Sequence, residues 1–141
     1  MRSVRLAMAL LGLMVLFAAP ARAATGPSIH GGGSASDMTR FALAISDGVG
    51  HFECLMPAAM TVEAQVTGVS ATAAAATFQG VAQVTLAGKN PFGLLSGPLA
   101  RDVPFTATVR AGGPGSGFVD LEIMQMSFKG TVLHGEVRIS P

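Results

Sequence analysis

"MTVEAQVTG", residues 60–68, alternates without a break: Met60, Val62, Ala64 and Val66 are apolar, while Thr61, Glu63, Gln65 and Thr67 are polar. A period of two belongs to an extended strand that buries one face and wets the other. The same rhythm returns in "ATFQGVAQVTL" (76–86), where Ala76, Phe78, Gly80, Ala82, Val84 and Leu86 oppose Thr77, Gln79, Val81, Gln83 and Thr85. It recurs in "RFALAIS" (40–46), "PFTATVR" (104–110), "FVDLEIM" (118–124) and "GEVRIS" (135–140). Asp47-Gly48 after Ser46 is a pair suited to a tight hairpin turn, so "HFECLMP" (51–57) reads as the returning strand, ended by Pro57.

Gly/Pro punctuation between these runs, and no sustained helical period after residue 26, predict an all-β domain. The expected architecture is a single Ig-like or similar β-sandwich of about seven or eight short antiparallel strands, with a small barrel as the alternative. "SATAAAATF" (70–78) is the one stretch with helical propensity, and Ala73 to Ala76 make at most a turn of helix. An outer-membrane barrel would want aromatic girdles and longer strands than these runs supply.

The N-terminal "MRSVRLAMALLGLMVLFAAPARAATG" (1–26) has Arg2 and Arg5 before an apolar run from Leu6 to Ala19, then Ala21-Arg22-Ala23. That order is a secretory signal peptide, 1–23, cut near Ala23. The run is short of the roughly 20 residues a membrane span needs. Cleavage removes Arg2, Arg5 and Arg22, so a formal balance of +1 becomes negative against eight Asp and Glu. The cations left are scattered singly, which argues against nucleic acid as a partner. The expected protein is secreted or periplasmic, without a membrane span. Residues 24–37, "ATGPSIHGGGSASD", read as a flexible Gly/Ser-rich arm with room for a short edge strand at Ile29 and His30, and 38–141 as the domain.

"AGKNPFGLLSGPLARDVP" (87–104) is long for a loop in so small a domain and carries Phe92, Leu94, Leu95 and Leu99. Such a loop either folds down as a cap on the core or contacts a partner or ligand. Cys54, the only cysteine, has no partner for an intramolecular disulfide. It shares a strand face with Phe52 and Met56, where a free thiol acts as a small hydrophobe. A nucleophile would need a histidine beside it, yet His51 lies at an odd offset and points to the opposite face. A copper or zinc site combining His51, Cys54 and Met56 is the metal alternative, although no second histidine follows as blue-copper loops require. Glu53, Glu63, Asp120 and Glu122 fall on outward faces, and Gly31-Gly32-Gly33 leads into no helix with a phosphate-holding lysine.

The order of these segments, with "VPFTATVRAGGPGSG" (103–117) the most specific, resembles small exported bacterial β-domains that occur alone or appended to larger surface proteins. The resemblance covers nearly all of the chain beyond the signal. It implies an extracytoplasmic all-β module with no catalytic residues to carry over, and residues 89–99 look like an insertion. The expected function is a non-enzymatic structural or protein-interaction module, without a cofactor, that binds a protein partner or associates with itself. A small-ligand or metal carrier using the apolar interior or the His51/Cys54 region is the alternative.

Overall fold

The computed structural model describes residues 26–57, 60–88, 90 and 93–141. They form eight strands: β1 (Ser28–Ala35), β2 (Met38–Ser46), β3 (Val49–Leu55), β4 (Met60–Ala71), β5 (Ala75–Leu86), β6 (Gly97–Arg110), β7 (Phe118–Ile123) and β8 (Met126–Ser140). Each pairs antiparallel with its neighbours in the chain, and β1 pairs with β8, so the sheet closes into a barrel in the order β1 to β8. The sandwich expectation gives way to the barrel. Alternation could not separate them, because both architectures bury one face of every strand.

The predicted faces hold along the chain. Phe41, Leu43, Ile45, Phe52, Met60, Val62, Phe78, Val84, Phe105, Val109, Leu121 and Ile123 are all buried. No buried polar or charged residue occurs among the described residues. The rings of Phe52, Phe78 and Phe105 meet in the interior with centroids 5.5, 6.3 and 6.5 Å apart. Edge-to-face and offset pairs of this kind add about 0.5–1.5 kcal/mol each beyond the area they bury. Outward positions such as Thr61, Glu63, Gln65, Gln79 and Gln83 are polar. Apolar inside and polar outside is the reverse of a lipid-facing barrel.

Two stretches depart from expectation. The 24–37 arm contains β1, a full strand with a partner on each side rather than a loose or edge segment: Gly31 faces Leu43 on β2 and Val137 on β8. Glycine suits this seam because the strands approach closely. A Cβ on Gly33 (φ 144°) would lie 1.9 Å from the carbonyl oxygen of His134, and one on Gly135 (φ 87°) equally near that of Gly32. Secondly, Ala73 and Ala74 form a hairpin turn instead of helix, with β5 beginning at Ala75.

The glycine-rich stretch 111–117 is more than a turn. Gly112 and Val137 exchange N–H···O bonds of 2.9 Å, Gly115 N–H donates to Val132 O at 2.9 Å, and Val132 N–H donates to Gly117 O at 2.8 Å. The loop therefore extends the pairing of β8 beyond the short β7.

Closure is complete only around the middle. At one end the β4–β5 ladder runs on to Ala71 and Ala76, although β3–β4 pairing stops at Gly50 and Val66. At the other end β5–β6 pairing reaches Leu86 and Gly97, although β6–β7 pairing stops at Phe105 and Ile123.

Candidate functional site

Strand β3 lies between β2 and β4, and its register sorts the side chains of "HFECLMP" between the two faces of the wall. Cys54 pairs with Phe41 and Val62, while His51 pairs with Ala44 and Gln65. Cys54 and Met56 are buried, each 3% exposed, and His51 is exposed. The structure does not bring the predicted metal set together: the barrel wall separates His51 from the two sulfur atoms. No group of three His, Cys, Asp or Glu side chains placed to hold a metal occurs among the described residues. Burial, and secondarily the charge of Glu53, pushes the Cys54 thiol up to about 12. A nucleophile needs the opposite shift.

Outside the wall, His51, Glu53, Glu63, Gln65, Gln83 and Asp102 line an open groove of about 360 Å³. Glu53 and Glu63 stand directly opposite on paired strands, an arrangement that costs stability. The groove is rich in acceptors, and the sequence hid it because it assembles from four strands. On β1, Ser28 Oγ and His30 Nε2 hydrogen-bond at 2.8 Å. The cross-strand neighbours of His30 are Ala44 and Arg138, so neither supplies the carboxylate that would orient it as a base.

Strand β6 starts at Gly97, so the unpaired part of the long apolar loop is shorter than the 87–104 expected, and Leu99 belongs to the strand. Phe92 lies outside the described residues. Leu94, Leu95 and Leu99 are exposed, Leu95 by 94%. Asn90 holds the loop in this form: its Nδ2 donates to Ala87 O at 3.1 Å and Leu94 O at 2.7 Å, and its Oδ1 accepts from Leu94 N–H at 3.2 Å. Met38, Met56, Met60, Leu86 and Ile123 seal this end of the barrel.

Two further apolar side chains are exposed at the same end: Leu55 closing β3 and Met124 in the β7–β8 turn. Beside that turn is a cleft of about 450 Å³, lined by residues that include Pro104, Thr106, Glu122, Met124, Gln125 and Ser127. Leu55 sits on the outward parity of its strand, a signal that was available in the sequence. No known protein family, curated protein or solved structure matches the chain.

Proposed function

We propose that this chain is an exported β-barrel module that works by binding a protein partner rather than by catalysis. The contact is made at the end of the barrel that carries the β5–β6 loop. The observation behind this reading is the exposure of Leu94, Leu95 and Leu99 on a loop organised by Asn90. Apolar side chains held out at one end of a barrel whose core is already sealed by methionines favour association. Leu55, Met124 and the adjacent cleft extend the same surface. What favours this reading over a carrier of a small ligand in the interior is that the rings of Phe52, Phe78 and Phe105 pack against one another there. Export rests on the charged, apolar and small-residue order of residues 1–23, and a mature mass starting at Ala24 is the expected result.

Replacing Leu94, Leu95 and Leu99 together by Ser separates the two fates of the loop. As a contact surface, the variant keeps the thermal midpoint of the parent, since exposed substitutions change stability by about 0.5 kcal/mol or less, and loses partner capture from the exported fraction. A fall in the midpoint with capture intact would return the loop to a covering role.

A further inference from the structure

Where the ladders stop unequally, two strands outrun a neighbour. Among the described residues, β6 from Gly97 to Pro104 has β5 on one side and no strand on the other, and so does β4 from Thr67 to Ala71. A strand edge left open is a template for another strand.

The two edges are not alike. That of β6 carries Pro98 and Pro104, the charged Arg101, irregular register opposite Ala82 to Thr85, and Asp102 in the left-handed region at φ 52°. Each of these obstructs strand addition: proline lacks a donor, charge repels, and bulges twist the edge away. The β4 edge, Thr67-Gly68-Val69-Ser70-Ala71, has neither charge nor proline. Its one bulge sits at its base, between Val66 and Gly68, and 68–71 then run in unbroken register with 76–79.

The hairpin turn sets which groups point outward. Thr72 N–H donates to Ala75 O at 2.8 Å, making these two a bonded pair. Bonded and non-bonded pairs alternate along an antiparallel ladder. Ser70 therefore bonds Thr77, and Gly68 bonds Gln79, while the N–H and C=O of Val69 and Ala71 turn away from β5. No hydrogen bond among the described residues reaches them from the open side.

We propose that this edge pairs with the same edge of a second copy of the chain, antiparallel about a two-fold axis at Ser70, joining two barrels through one sheet. Antiparallel self-pairing sets the edge against itself, with only the residue on the axis facing its own kind, so it needs an edge free of like charges that would repel. Thr67 to Ala71 satisfy this and the β6 edge does not. The axis at Ser70 places Val69 of one copy opposite Ala71 of the other, so the outward donors and acceptors meet as bonded pairs. Val49, 59% exposed and one residue beyond the last β3–β4 pair, adds apolar surface at the base of the overhang. The contact is isologous and closes at two copies. It lies at the opposite end of the barrel from Leu94 and Leu95, so it goes beyond the partner surface proposed above.

Sedimentation equilibrium of the protein expressed from its full-length sequence tests the proposal. A reversible monomer–dimer equilibrium is expected. Ala71→Pro deletes an N–H that faces only the open side, and Ser70→Lys puts like charges on the axis; each should weaken the dimer at least tenfold with an unchanged circular dichroism spectrum. Mixing Ser70→Lys with Ser70→Glu should restore the dimer mass, because opposite charges then meet. If Ala71→Pro unfolds the barrel, the Ser70 pair carries the test by itself. A monomeric mass at every concentration overturns the proposal. So does a dimer indifferent to both substitutions, or one lost only when Leu94, Leu95 and Leu99 become Ser.

Discussion

At the scale of the residue, Cys54 makes the sharpest statement. Its face was legible from alternation with Phe52 and Met56, and the structure buries it there. Its ionisation then couples to folding. The thiol moves from its ordinary 9.0 to about 12 on burial. Below about pH 9 both the folded and the unfolded chain hold the proton. Above it the unfolded chain sheds the proton while the folded chain keeps it, so stability falls with rising pH by about 1.4 kcal/mol per unit until the folded thiol also ionises. Urea unfolding across this alkaline range should show a steeper loss for the native protein than for Cys54→Val, which has no proton to release. Parallel curves would mean that the thiol reaches solvent. The set His51, Cys54 and Met56 is divided at the same scale, for the reason that period two imposes: an odd offset puts His51 on the other side of the wall from Cys54.

Among the elements, the turns divide into those with a chemical signature and those without. Asp47-Gly48 was readable because both positions favour left-handed backbone, and they adopt φ of 53° and 78°. Met124 and Gln125 form an equally tight turn between Ile123 and Met126, at φ 51° and 61°, with side chains that carry no such preference. Met124 falls at the end of the alternating run 118–124, so the turn was invisible. Two consecutive left-handed residues with Cβ atoms store strain. Replacing the pair by Asn-Gly should relieve it, stabilising the barrel by about 1 kcal/mol or more and raising the thermal midpoint by several degrees. An unchanged midpoint would show that the turn costs nothing as it stands. The start of β6 was missed for a related reason: prolines and bulges disguise Gly97 to Pro104 as loop while β5 still pairs with it.

For the whole molecule, strand content and core faces could be derived, but closure could not. The seam joins Ser28 to Ser140 and Gly31 to Val137, partners at opposite ends of the domain, through a strand whose glycines mimic an arm. The close approach at Gly33 makes the seam testable. Gly33→Val sets a side chain against the carbonyl of His134 and demands a left-handed valine, so it should open β1 from β8 and strip amide-exchange protection from both strands. Retained protection would show that the seam tolerates bulk. The meander also imposes an order in time. Every other ladder joins strands adjacent in the chain and can zip as its hairpin forms, whereas β1 must wait for β8 and bear the largest loop-closure entropy. During that wait the chain is a curled open sheet with β1 as a free edge. Glycine has little strand propensity and no side chain for another chain to grip. The residues that let the barrel close tightly thus also make its slowest edge a poor seed for aggregation.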